Sequence, residues 1–378
     1  MATKQVNEYY DFGFSLKENV FMTKVVQKYR YHSAQNENAY AYFSRDEKRK
    51  LLGNPTSKKK IKGLIDIGAI KEIPVGRNPN NAKQMIWGYI PADLPYTREY
   101  AYLPFLDNYN SWVMGKLSIE ALSIYNTMRN STVDITDVQL NEALVGACNR
   151  NGYPDSQKYL DDNMGILKER IIDYNSNSSM NISEDPFGNR LHTFVSGLQQ
   201  EIRKGYLLIN GDRTVECDLH QSQMVILGKL LEDLYGSNSF SKTVKEEDVY
   251  VLFGERNGIV DRVFSKKLMF RALFDRIGSE ADLMFKEAFP DAYPFLKNIK
   301  SIYLPQNPSW KWYSNLSFML QREESGIFRN LWKELRIERI PFLTAHDSII
   351  VEYQYQEIAK NIMQRSLQEQ IGNYIYVS

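Results

Sequence analysis

Cysteine is scarce in this chain. Cys148 and Cys217 are the only two in 378 residues, too few for a disulfide framework and wrongly spaced for a zinc site built on cysteine pairs. A reducing cell interior is the expected home. Histidine is nearly as scarce, with four residues at 32, 192, 220 and 346. No apolar run reaches the ~18 residues that a membrane span requires. The N-terminal stretch MATKQVNEYYDFGFSLKENV lacks the apolar core of a secretory signal. Charge of one sign is also missing. The 47 Lys+Arg against 46 Asp+Glu leave a net charge of +1. That excludes a uniformly basic coating protein but not a locally basic surface that steers nucleic acid. No internal repeat or low-complexity tract interrupts the chain.

What is present is ordinary globular material, 43% hydrophobic and 25% charged, long enough for two or three domains. Residues 1–95 read as a small module. A basic run, Lys48-Arg49-Lys50 and then Lys58-Lys59-Lys60 with Lys62, flanks the turn Gly53-Asn54-Pro55. Ser57 is placed to cap a helix carrying Ile61, Leu64 and Ile65 on one face and ending at Gly68. Ala69–Val75 and Gln84–Ile90 then read as strands joined by a turn at Gly76–Asn81. Helix followed by hairpin makes a winged-helix-like element, and its lysines are open to two readings, a DNA contact or a solvated face. The proline-bearing stretch Pro91–Pro104 marks a boundary. Residues 96–184 are a mainly helical region, from Leu117 to about Tyr174, closed by the polar stretch Asn175–Asn181. Residues 185–378 mix short strands with helices and hold the informative chemistry.

Three segments carry it. Arg213–Asp218 reads as a strand whose end presents an aspartate, followed by a helix over Met224–Leu234. Ile340–Ala345 and Ile349–Glu352 read as a hairpin with Asp347 at its tip. Two carboxylates ~4 Å apart repel by roughly 4 kcal/mol at an effective dielectric near 20, and divalent cations between them remove that cost, as in two-metal phosphoryl transfer. In Asp261–Asp275, Arg262, Lys266, Phe270 and Phe274 recur every fourth residue, hence along one helix face. Two cations followed by two aromatics suit a triphosphate and the base or sugar beside it. A surface helix with an aromatic core stripe has the same spacing.

Together these segments resemble the family A DNA polymerases, the bacterial polymerase I class, which share a palm with single-subunit RNA polymerases. The family's Asp-Tyr-Ser-Gln-x-Glu is met by Asp218-Leu219-His220-Gln221-Ser222-Gln223. Its Arg-x3-Lys-x3-Phe-Gly-x2-Tyr-Gly is met by Arg262, Lys266, Phe270 and Phe274. Its His-Asp-Glu is met by His346-Asp347-Ser348. The order is kept, and Asp248-Val249-Tyr250 falls between the first two where the family has a related step. Gly188-Asn189-Arg190-Leu191-His192 is similar to the family's Gly-Arg-Leu-Ser element, with Asn189 interposed. Gln321 falls where the family has a glutamine on the template-side duplex. The resemblance covers about residues 185–352.

The resemblance implies an α+β polymerase right hand, with an antiparallel palm sheet, helical fingers and a reduced helical thumb, beside the N-terminal module. It implies a template-directed DNA polymerase that extends a primer with dNTPs. Asp218 and Asp347, with the main-chain carbonyl of Leu219, would hold two Mg2+ ions, with Mn2+ as a substitute. Arg262 and Lys266 would bind the triphosphate, and Phe270 would stack near the base and sugar. Arg190, Arg203, Gln321 and His346 would contact primer–template DNA. Gln223 stands where DNA polymerases carry a glutamate that excludes a ribose 2′-hydroxyl, and its bulk favours dNTPs. Ser348 matches the RNA polymerase form instead, and Phe274 lacks the hydroxyl of the usual tyrosine. An RNA polymerase or primase on the same palm is therefore the second expectation. A non-catalytic DNA-binding replication protein with a vestigial palm is the third. No proofreading exonuclease pattern is present, and the expected setting is the cytoplasm of a bacterial host, with a phage, plasmid or transposon as the source and an accessory replication protein as a partner.

Overall fold

The computed structural model describes residues 7–33, 40–53, 56–78, 81–95, 97–101, 115, 117–152, 156–177, 182–302, 304–309 and 311–372. Asn54-Pro55, the tip of the Gly76–Asn81 turn, residues 96 and 102–104 of the Pro91–Pro104 boundary, and residues 178–181 of the polar stretch lie outside them. The chain divides into two compact units, one of Met1–Asn181 with Gly197–Gly211, the other of Ile182–Ser196 with Asp212–Ser378.

The first unit runs β1 (Asn7–Asp11), α1 (Leu16–Ser33), β2 (Ala41–Tyr42), α2 (Arg45–Leu52), α3 (Ser57–Asp66), β3 (Ile70–Asn78), β4 (Asn81–Pro91), β5 (Thr97–Ala101), α4 (Ile119–Arg129), β6 (Ser131–Val133), α5 (Asp137–Asn151) and α6 (Ser156–Asn175). The chain enters the second unit for β7 (Ile182–Glu184) and β8 (Leu191–Thr193), then returns for α7 (Gln200–Tyr206) and β9 (Leu207–Ile209).

Helix α2 starts at a reciprocal cap, in which Ser44 accepts from the Glu47 amide and Glu47 accepts from the Ser44 amide. Helix α5 repeats the device with Thr136 and Gln139, and ends at Gly152 with φ +69°. The expected cap at Ser57 is not formed: Thr56 occupies the cap position, its hydroxyl donating back to the Leu52 carbonyl and capping no helix amide, and Ser57 is buried in the first turn. Ser57 already lies inside the helix, its amide donating to the Gly53 carbonyl at 3.0 Å, so its hydroxyl is not at the cap position. Strands β2, β4 and β3 form an antiparallel sheet in that order. A core of Phe21 and Val25 from α1, Phe43, Leu51 and Leu52, Ile61 and Leu64 from α3, and Tyr89 from β4 joins the sheet to its helices. Tyr10 donates to Asp173 of α6, with Arg30 of α1 also 3.9 Å from that carboxylate. The short β6 and β9 pair antiparallel; three residues are too few to show a period in the sequence.

The second unit continues with β10 (Asp212–Asp218), α8 (Ser222–Tyr235), α9 (Ser239–Glu246), α10 (Val249–Arg256), α11 (Arg262–Phe274), α12 (Glu280–Ala288), α13 (Tyr293–Ser301), α14 (Asn315–Ile337), β11 (Phe342–Ala345), β12 (Ser348–Glu352) and α15 (Gln356–Ile371). Strand β12 lies between β10 and β11, antiparallel to both. Every residue of β11 and β12 is buried, Thr344, Ser348 and Glu352 included, so neither strand shows a polar–apolar alternation. The architecture is thus α+β with antiparallel sheets. Among the described residues no helix is long and apolar enough to cross a membrane.

Helices α11, α12 and α13 are joined by a fully buried ion pair. Lys300 donates to Asp282 at 2.8 Å and to the Ala272 carbonyl at 2.9 Å. Asp282 also accepts from Tyr293 at 2.7 Å and the Gly278 amide at 2.8 Å. Burial opposes its ionisation, but the Lys300 hydrogen bond and the other donors hold its carboxyl below the usual range. Removing one partner leaves a buried charge alone. Asp282→Ala should therefore lower unfolding stability by about 3–5 kcal/mol in urea titration, and Asp282→Leu combined with Lys300→Met should recover most of the loss. Equal losses in the single and double variants would refute the paired role.

Candidate active site

Antiparallel register decides which side chains meet. Asp218, the last residue of β10, pairs with Ser348, and Ser348 pairs with Ala345. His346 and Asp347 are thus a two-residue turn beside the end of β10, and the Leu219 amide donates to the Asp347 carbonyl at 3.2 Å. His346, just before Asp347, takes φ +59°, and Gln221, three residues after Asp218, φ +57°. A positive φ at two non-glycine residues near the two aspartates is local strain maintained by the surrounding sheet and helix.

Asp347 opens partly to a cleft, yet protein packs closely around it. Burial first, then the negative charges of Glu324 and Asp218, push its carboxyl up to about 7. Glu324 is a functional candidate that sequence reading missed. It is buried on α14, accepts from Ser222 at the start of α8, and pairs with Arg190. Its signal was present: it occupies an apolar stripe with Leu316, Leu320 and Phe328, all buried, where a carboxylate is unexpected.

The cleft, about 270 Å³, is lined by Asp218 through Gln223, by Tyr250, by Arg262, Lys266 and Phe270, and by Asp347. Lys266 and Phe270 project from α11 toward Tyr250 of α10. The Lys266 ammonium lies 5.5 Å from the Tyr250 ring and 6.0 Å from the Phe270 ring, and the two rings stack at 6.3 Å. Arg262 lines the cleft but is paired with Asp248 at 2.7 Å. Gln223 is buried, and its Oε1 has no hydrogen-bond partner among the described residues. Such an atom is costly unless something else completes it.

The remaining candidates fall outside this lining. Phe274 packs on Phe270 at 5.6 Å. Gln321 abuts Gly188, where a Cβ would come within 2.5 Å of its Oε1. That close approach requires glycine and explains its place before Asn189-Arg190. His346 stands 5.9 Å from His192, whose Nε2 is 3.2 Å from Asp185. Burial opposes ionisation of Asp185, but the His192 bond and the amides of Gly188 and Arg190 hold it down to about 2. Arg203 belongs to the first unit, where it donates to the Leu198 carbonyl at 2.8 Å.

Among the described residues no group of three His, Cys, Asp or Glu side chains is arranged to hold a metal ion. Mg2+ does not require one, since it is commonly held by one or two carboxylates together with substrate phosphates. The oxygen donors of Asp218 and Asp347, mutually repelling, fit that pattern. Compared with family models and with curated proteins, the chain matches none.

The raised Asp347 carboxyl has a definite sign. A folded value above the unfolded ~3.9 favours the protonated form, so its contribution is full at acid pH and lost as pH rises through about 7. In EDTA, Asp347→Asn should melt above the wild type by a margin that grows from pH 5 to pH 8. Mg2+ should raise the wild-type Tm at pH 8 more than that of the variant. A pH-independent margin would remove the crowding of carboxylates from this site.

Proposed function

We propose that the second unit is the palm and fingers of a template-directed DNA polymerase, similar to family A, that extends a primer with dNTPs. The observation that carries this reading is the convergence of Asp218 and Asp347 on one cleft that Lys266 and Phe270 also line. The β10–β12–β11 sheet would be the palm, α10 to α13 the fingers, and α4 to α6 a short thumb. The element from α1 to β4 would be the winged-helix-like module, since its order of helices and strands has that form.

Asp218, Asp347 and the carbonyl of Leu219 would hold two Mg2+ ions, which supply activation of the primer hydroxyl and neutralisation of the leaving pyrophosphate. The chain's own groups would do the positioning. Lys266 has no carboxylate partner among the described residues, so its charge is available to a triphosphate. Phe270 and Tyr250 offer a wall for the base and sugar. Arg262 would reach a phosphate by exchanging Asp248 for it. Arg190 is engaged with Glu324 and would act by holding that carboxylate in place.

Gln223 supports two readings. Its bulk at the cleft wall favours exclusion of a ribose. Its open Oε1 is an acceptor that a 2′-hydroxyl would satisfy, which favours an RNA polymerase or primase. Primer extension with Mg2+ and dNTPs or rNTPs supplied separately tests both. Incorporation should be abolished by Asp218→Asn and by Asp347→Asn, and activity retained in either would overturn the two-metal assignment. Gln223→Gly should raise rNTP use if the side chain excludes ribose and lower it if the amide receives the 2′-hydroxyl.

A further inference from the structure

The second DNA-facing candidate lies far along the sequence from the carboxylates. The order α1, β2, α2, α3, β3, β4, with the sheet ordered β2-β4-β3, places two short helices in succession, separated by residues 53–56. In helix-turn-helix elements the second of such helices enters the major groove while the first crosses the backbone. Here the second is α3. Ile61 and Leu64 bury its inner face in the core. The outer face exposes Lys58, Lys59, Lys62, Gly63 and Asp66, so cations outnumber anions three to one.

Those three lysines have no ion pair or hydrogen bond among the described residues. Lys28 and Lys48 of the same unit do have partners, Glu47 and Tyr89. Gly63 adds an independent observation. A Cβ there would meet nothing within 4 Å, and its backbone angle is ordinary, so neither packing nor φ requires glycine. A glycine inside a helix is unfavourable relative to alanine, and on an exposed face it leaves room for another molecule to approach the backbone closely.

We propose that the outer face of α3 is a docking surface for duplex DNA, with Lys58, Lys59 and Lys62 on phosphates and Gly63 at the point of closest approach. This surface is separate from the polymerase reading and does not depend on it. The lysines, at spacings of one and three to four residues, follow one side of the helix, which matches a row of phosphates along a groove edge.

The test uses the full chain carrying Asp347→Asn, so that catalysis plays no part, and a blunt 20-base-pair fluorescent duplex read by anisotropy across a salt series. Lys58→Ala/Lys59→Ala/Lys62→Ala should weaken binding by about tenfold or more and reduce the slope of log K against log salt by about 0.9 for each phosphate no longer neutralised. Gly63→Ala should raise Tm, as helix propensity requires, and weaken duplex binding. Unchanged affinity and slope in the triple variant would overturn the proposal. So would poly-glutamate displacing the duplex as effectively as unlabelled duplex does, which would mark a general polyanion surface. Failure of primer extension in the otherwise wild-type chain would leave this binding intact, so the two readings fail separately.

Discussion

The pairing of Asp218 with Ser348 across two antiparallel strands is the constraint on which the candidate site depends. It sets the end of β10 beside the His346-Asp347 turn, so two carboxylates 129 positions apart in sequence become neighbours. A one-residue slip would turn Asp218 to the opposite face of the sheet. The register is protected because β11 and β12 are buried throughout. Glu324 lies near enough to Asp347 to add a third negative charge, partly offset by Arg190. The fold tolerates this crowding because each side chain is fixed by elements with other reasons to be where they are.

Helix α14 is the chief of those elements. Arg322 donates to the carbonyls of Phe187 and Pro186, Ser325 to that of Gly188, and Arg329 to that of Asn189. The chain from Glu184 to Arg190 is therefore held along the helix, with Gly188 seated on Gln321. Helix α11, which also lines the cleft, is held through the Ala272 carbonyl to Lys300 and Asp282. Lys266 and Phe270 thus project from a helix anchored at its far end. Side chains supported in this way keep a geometry that loops alone do not maintain.

The first unit contributes a different kind of surface. Its N-terminal element has a core of its own, yet Tyr10 and Arg30 also tie it to α6. Lysines on α3 face outward because the apolar residues of that helix are committed to the core. The near-zero net charge of the chain is compatible with this, since local arrangement and not the total creates a field at a surface.

Much of the local structure was legible. Apolar spacing placed α3, the run after Asp218 placed α8, the four-residue recurrence of Arg262, Lys266, Phe270 and Phe274 placed α11, and turn and strand signals placed the β3–β4 and β11–β12 hairpins within a few residues. The short β2, β6 and β9 were not legible, because two or three residues carry no period and acquire strand geometry only through a partner. Ser57 had the chemistry of a cap but not its position. The candidate aspartates, Lys266, Phe270 and Gln223 could be named from motif order alone. The pairing of Arg190 with Glu324, of Arg262 with Asp248, and the contact of Tyr250 with Lys266 could not, since each joins segments distant in sequence. By itself the sequence determined which residue types were available and on which face of which element they stood. Tertiary structure alone decided which carboxylates share a field and which cations are already neutralised, because electrostatic interaction depends on distance and burial, and neither is a property of sequence spacing.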